Sequence, residues 1–345
     1  MARIGATPSR QLKALKALKS TYKLNTNPYQ EVIFFMEQIR SLSQLIEDAA
    51  KLCAEKGRKR ISVAMAEDAG LISAIEEARK LGLVEATLVG NPDKVKACIA
   101  EAGASESSYH IIPENNEAAC GIVAVTEVSA KRADIYMKGQ LHTDNFLRGM
   151  LNKEVGLRVG KKAISHCYFH SIPGYDRVIF IADGAFNMYP DLKMKADIVQ
   201  NTVNFARSLG VELPKVACLA AVEMVNPDMP CTLDATALVQ MNARGQIKNC
   251  IVDGPLALDN AIDEEAAKIK HIKSPVAGHA DILFVPQIEV GNALAKSISF
   301  FAKGSETAGL IIGAAAPVVL TSRADSPRAK LLSIAGAVML AHHQG

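Results

Sequence analysis

The strongest constraint on this chain is a rhythm. After roughly Glu31, short β-branched runs alternate with longer amphipathic stretches. Runs of this kind at Arg60–Ala64, Ala86–Val89, Tyr109–Ile112 and Ala133–Met137 read as strands, and the stretches Gly70–Leu81, Pro92–Ala102, Glu117–Lys131 and Thr143–Leu151 read as helices. A strand followed by a helix and then another strand makes parallel pairing, because a right-handed crossover consumes about a helix of chain. The expected class is therefore α/β, with helices on both faces of a parallel or mixed sheet.

The rhythm breaks at residues 152–162, where charge and glycine intervene. Two consecutive β-rich runs, Ala163–Ser171 and Arg177–Ala182, then flank the turn signal SIPGYD, which predicts an antiparallel insertion at the start of a second domain. The alternation resumes with helices over Leu192–Leu209, Leu233–Arg244, Asp259–Lys268 and Val290–Ala302, and strands at Lys215–Ala220, Ile247–Val252 and Asp281–Val285. Strands at Leu310–Gly313 and Pro317–Thr321 precede a last helix, Pro327–His342. The waist of the protein is expected near residue 153.

With 345 residues and 49% hydrophobic content the chain can fill two cores. Aromatics make up 5% and there is no Trp, so stacking platforms for single-stranded nucleic acid are scarce, and 39 basic against 36 acidic residues give no broad polyanion face. No nucleic-acid partner is expected. No apolar run approaches the length of a membrane span. The seven cysteines are dispersed without a CxxC pair, which reads as reduced thiols of a cytoplasmic protein. The first segment is different: Arg3, Arg10, Lys13, Lys16, Lys19 and Lys23 occur without an acid, which imitates a transit peptide but reads as a solvated helical extension over residues 1–30.

Ligands of open α/β sheets sit beyond the carboxyl ends of strands, so the loops there are the places to search. In VVLTSRADSPRAK, Arg323 follows a buried strand, and Ser326-Pro327 reads as an N-cap with Pro in the first turn, an arrangement suited to an oxyanion. In VDGPLALDNA, Asp253 and Gly254 directly follow a strand; in PQIEVGNALAK, Glu289, Gly291 and Asn292 stand at a helix start. In MKGQLHTDNFLR, Lys138 ends a strand, His142 offers an imidazole that could act as acid or base, and Thr143 or Asp144 caps the helix carrying Arg148. Each loop also reads as plain helix capping. His166 and His170, four apart on a strand, are about 13 Å from each other and cannot share a metal. GxxxxGK[ST], GxGxxG after a strand, HExxH and GxSxG are all missing from the sequence, which removes the commonest nucleotide, zinc-protease and hydrolase signatures.

In series, the segments MKGxLHTD, PKVAxLxAVExVNPxMPxTxDAxAL, GQI, VDGPLALDNA, SPVAGxADIL, PxIExGNxLxK and PVVLTSRADS closely resemble the phosphate acetyltransferase and phosphate butyryltransferase family, the butyryl branch more nearly. The likeness runs from about residue 60 to the end. It implies a two-domain fold like that of isocitrate and isopropylmalate dehydrogenases, with residues 31–152 plus 318–345 in one domain and 153–317 in the other. It also implies a cytoplasmic homodimer that converts acyl-CoA and inorganic phosphate into acyl phosphate and CoA. No metal or bound cofactor belongs to that chemistry; coenzyme A enters as the thioester substrate.

On this resemblance, Ser322 donates to the thiol sulfur or the oxyanion, and Arg323 with the helix start behind it holds phosphate. Asp325 handles the thiol proton, although the sequence departs here from the acetyltransferase pattern, in which the acid lies further along the final helix, where this chain has Ala329. Lys138, His142, Thr143 and Arg148 line the opposing wall, with Asp253, Gly291 and Asn292 as further substrate contacts. The alternatives are an acetyl-specific enzyme or a non-catalytic CoA-binding protein of the same fold. A metal-dependent hydroxy-acid dehydrogenase would need an aspartate cluster and a nucleotide site, and neither signature is present.

Overall fold

Residues 38–321 and 325–344 are described by the structure, a computed structural model. The basic N-terminal segment, Ser322 and Arg323 lie outside the described residues. Helix α1 (Leu42–Lys56) leads into β1 (Lys59–Ala64), α2 (Ala69–Lys80), β2 (Val84–Gly90), α3 (Pro92–Glu101), β3 (His110–Pro113), α4 (Glu117–Ser129), β4 (Ile135–Lys138) and α5 (Thr143–Met150). The hairpin β5 (Ser165–Ser171) and β6 (Ile179–Ala182) follows, then α6 (Leu192–Ser208), β7 (Lys215–Leu219), α7 (Pro230–Ala243) and β8 (Ile251–Leu256). The series closes with α8 (Leu258–Ile262), α9 (Glu264–Ile269), β9 (Ile282–Phe284), α10 (Ile288–Phe301), β10 (Glu306–Ile312), β11 (Val318–Val319) and α11 (Pro327–Gln344).

Short polar side chains start the helices. Asp68 accepts from the Leu71 N–H at 2.8 Å, Asn91 from Lys94 at 3.1 Å ahead of Pro92, Asn116 from Ala119 at 3.0 Å and Asp191 from Met194 at 2.8 Å. Each satisfies an N–H that the helix itself cannot. The helix α1, which the alternation did not announce, buries Leu42, Leu45, Ile46, Ala49 and Cys53, a helical stripe.

All eleven strands belong to one sheet in the order β3-β2-β1-β4-β11-β10-β5-β6-β9-β7-β8. β3, β2, β1, β4 and β11 are parallel to one another, as are β6, β9, β7 and β8. Between the two sets, β10 is antiparallel to both β11 and β5, and β5 is antiparallel to β6. The two parallel sets therefore run in opposite directions. Their central strands are buried on both faces, as in Ile135–Lys138 and Ile179–Ala182, which is why they read as unbroken apolar runs.

The antiparallel hairpin expected around SIPGYD is present, and β10 adds a partner to it that no local signal announces. Helix α11 is buried from Lys330 through Ala341 and packs on α1, α2 and β10. A helix buried on all sides shows no amphipathic stripe, so its apolar content and its Ser326 cap, which accepts from the Ala329 N–H at 3.1 Å, are its only local marks.

One segment departs from the sequence expectation in register. The strand expected at Ile247–Val252 begins at Ile251, because the Asn242 side chain donates to the carbonyls of Ile247 at 3.1 Å and Cys250 at 3.2 Å and holds that stretch in a turn. Asp253 and Gly254 consequently lie inside β8, not after it. A β-carbon on Gly254, at φ +149°, would meet the Cys218 carbonyl at 2.7 Å, so only glycine fits this irregular crossing of β7 and β8.

Candidate active site

A cleft of about 340 Å³ opens on the sheet face where β5 meets β10. Tyr168 and Gly309 form its floor, Lys296 of α10 and Leu332 of α11 stand on its walls, and Leu320 and Asp325 lie at the end of β11. Leu320 directly follows β11, so the final strand ends at this cleft. The register Val319↔Met137, continued by one residue, sets Leu320 beside Lys138. Adjacent strands are about 4.8 Å apart, so the carboxyl ends of β4 and β11 arrive together.

At the end of β4, Lys138 is 6% exposed and its ammonium donates to the Gly139 carbonyl at 3.1 Å. Gly139 passes so close to β1 that a β-carbon would lie 2.5 Å from the Ala64 carbonyl oxygen, and its N–H donates to that oxygen at 2.8 Å. His142 precedes α5 without capping it, and Thr143 and Asp144 make no cap either. Glu117 of α4 instead steadies the turn before the helix, accepting from the His142 N–H at 2.6 Å and lying 2.9 Å from its Nδ1. The Asn145 amide, followed by the His142 backbone N–H, holds the Glu117 carboxyl down at about 2. Thr143 and Arg148 are exposed on α5.

On the opposite wall, Lys296 has no carboxylate partner among the described residues, whereas Arg328 is neutralised by Glu306 at 2.8 Å. Below Lys296 on the same helix, the Asn292 amide donates to the Gly184 carbonyl at 3.2 Å, and a β-carbon on Gly291 would come within 2.5 Å of the Asp183 carbonyl. Asp183 ties this corner: its carboxylate accepts from the N–H groups of His166, Ala185 and Phe186 at 3.1, 3.0 and 2.9 Å, and from the Asn187 amide at 2.6 Å. Burial pushes its pKa up against those donors.

Along β5, His166, Tyr168 and His170 follow one another on the cleft face, with centroid separations of 4.4 and 6.2 Å. Burial, and for His166 also the nearby Lys296 charge, brings both histidines down to about 3, so both are neutral at pH 7. Asp325 and Ala329 both line the cleft, so the acid and the position where an acid was expected further along the helix share one wall.

The fold thus groups the sequence-derived residues unevenly. Lys138 meets the β11 end, Asp325 shares the cleft with Lys296, and Gly291 with Asn292 lies one helical turn below it. Asp253 belongs elsewhere: β8 is the edge strand, six strand places from β11, or about 29 Å at ordinary strand spacing. The cleft lies on the sheet face, so searching strand ends alone passes over Tyr168, inside β5, and Lys296, two turns into α10, whereas Asp183 directly follows β6 and was open to that search. The signal for Lys296 was its place at the end of the PQIEVGNALAK segment.

The chain matches the model of the family described as phosphate acetyl/butaryl transferase over residues 115–338. It is 46% identical over 286 residues to the phosphate butyryltransferase of Clostridium acetobutylicum, covering 83% of this chain and 94% of that one. Among solved structures it is similar to a branched-chain phosphotransacylase from Enterococcus faecalis V583, with TM-score 0.73 and 32% identity over 83% of this chain and 99% of the other. At the level of fold alone it is similar to a putative 4-hydroxythreonine-4-phosphate dehydrogenase from Salmonella typhimurium, with TM-score 0.52 and 12% identity over 82% and 99% of the two chains.

Proposed function

The chain belongs to the phosphate acetyl- and butyryltransferase family, and from that premise we propose that it works on a short acyl chain, butyryl in first place, in the reaction acyl-CoA + phosphate = acyl phosphate + CoA. The observation that carries the reading is the cleft itself, lined together by Leu320 at the β11 end, Asp325, and Lys296, which has no carboxylate partner among the described residues. Transfer of the acyl group requires a phosphate oxygen to attack the thioester carbonyl, a transient oxyanion to be held, and a thiolate to leave and take up a proton.

In this assignment Arg323 grips phosphate, aided by the positive end of α11 and by Lys296. Ser322 donates to the oxyanion or to the departing sulfur. Asp325 manages the thiol proton: in the direction of acyl-CoA formation it accepts the proton as the thiolate attacks, and in the other direction it returns it. Lys138 supplies positive charge from the β4 wall. His142, Thr143 and Arg148 extend that wall toward the phosphates of CoA, and Gly291 with Asn292 borders the site from α10. Asp253 takes no part. The two-domain division, residues 31–152 with 318–345 against 153–317, is supported by the pairing of β11 with β4 and by the reversal of strand direction beyond it. No helix among the described residues is long and apolar enough to cross a membrane; a homodimer in the cytoplasm completes the proposal.

The test is thiol release from acetyl-, propionyl-, butyryl- and branched acyl-CoA with phosphate, and with arsenate as the alternative acceptor. Release that depends on the acceptor and peaks at butyryl supports the assignment. A peak at acetyl replaces butyryl, and no acceptor-dependent release with any thioester removes the reading.

A further inference from the structure

The cleft mixes charged and apolar lining: Lys296, Glu306, Asp325 and Arg328 share it with Ala295, Ala308, Leu320, Leu332 and the flat side chain of Tyr168. An acyl thioester likewise presents both kinds of surface, a polar carbonyl carbon followed by a hydrocarbon tail. Burial of each methylene of that tail is favourable only while there is room for it.

The Tyr168 ring is held with little freedom. An ideal β-carbon on Gly184 would fall 2.8 Å from its Cδ2 and Cε2, and one on Gly309 would fall 3.3 Å from its Cδ1. Two residues without side chains thus border opposite edges of the ring. His166 packs edge-on against it with centroids 4.4 Å apart, and His166 is itself 2% exposed. The same absent side chain at Gly309 would lie 2.9 Å from the His166 Nε2, so the ring, the imidazole and the strand backbone form one close-packed stack. The Tyr168 hydroxyl makes no hydrogen bond among the described residues.

We propose that Tyr168, clamped between Gly184 and Gly309 and backed by His166, is the floor of the acyl-chain slot and sets the length of chain the enzyme accepts. The inference rests on the acyltransferase reading and deepens it. A floor that cannot swing aside turns each surplus methylene into a collision, so selectivity is decided by this ring and not by the charged rim.

The experiment measures kcat/KM for acetyl-, butyryl- and hexanoyl-CoA at saturating phosphate in the full chain and in Tyr168→Ala, Tyr168→Leu and Gly309→Ala. Ratios between substrates within one preparation do not depend on the fraction of active enzyme, so partial misfolding of a variant does not obscure the result. Removing the ring is expected to raise the hexanoyl-to-butyryl ratio by about tenfold, with a smaller rise for Leu. Gly309→Ala, which crowds the ring from its far edge, is expected to lower the butyryl-to-acetyl ratio. Ratios that stay within about twofold of the parent chain in all three variants, with the parent active, overturn the slot and leave the acyltransferase intact. A parent chain inactive on every thioester removes the reading and the slot with it.

Discussion

At the scale of single residues, the cleft is distinguished by which charges are left unspent. Arg328 and Glu306 cancel each other, and Arg328 also donates to the Ser43 hydroxyl at 2.8 Å, whereas Lys296 has no carboxylate partner among the described residues. The neutral histidines of β5 have a measurable consequence for stability. Both are lowered from 6.5 to about 3 in the folded chain, so between those values the unfolded chain binds more protons than the folded one. Their neutrality therefore costs nothing above pH 6.5, and stability falls as the pH drops from 6.5 toward 3. The slope is about 1.4 kcal/mol per histidine for each pH unit well below 6.5. Urea unfolding at pH 7, 6, 5 and 4 is expected to show this acid loss, and His170→Gln is expected to make it shallower by about one histidine's share.

At the scale of elements, positions are set where backbones nearly touch. The start of α10 rests on the loop after β6 through Gly291, where a β-carbon would meet the Asp183 carbonyl at 2.5 Å and Val285 Cγ2 at 2.9 Å. Gly291→Ala must push the helix start away from that loop, displacing Asn292 and, one turn on, Lys296. Overpacking of this kind costs about 1–3 kcal/mol. The expected outcome is a lower urea midpoint together with at least a tenfold loss of kcat/KM for acyl transfer, since a shift of about 1 Å in a reacting group is expensive. An active variant with an unchanged midpoint would show that the α10 start is free to move. Elements with strong local periodicity were legible: β1, β2, α3 and α6 stand within two residues of their sequence-derived limits. Helix α1 was passed over although Leu42, Leu45, Ile46, Ala49 and Cys53 carry its stripe, and β8 slipped by four residues because a side chain, Asn242, decides where the strand begins.

At the scale of the whole molecule, the α/β class and the parallel strands were written in the alternation of apolar runs, while the joining of the two halves was not. The antiparallel neighbours β5 and β10 come from distant parts of the chain, and no local pattern records that they will lie side by side. The same gap explains the candidate site. Lys138 follows a strand end and was legible as such, but Tyr168 and Lys296 meet only because β6 pairs with both β5 and β9, and no local pattern records that. Helix α11 belongs to this level too, since it buries Leu331, Ile334 and Val338 against elements from the opposite end of the sequence. A chain ending at Asp325 leaves α1, α2 and β10 without their cover. It is expected to be insoluble or to lose its near-ultraviolet circular dichroism while keeping far-ultraviolet signal, the mark of secondary structure without fixed packing.

That closing helix also gives the protein a timetable. On a ribosome, α11 emerges after every other element described, and with it comes the wall that holds Leu332 over the cleft. Until it docks, the faces of α1 and α2 that it covers stay open to water, and the cleft lacks the wall that carries Leu332.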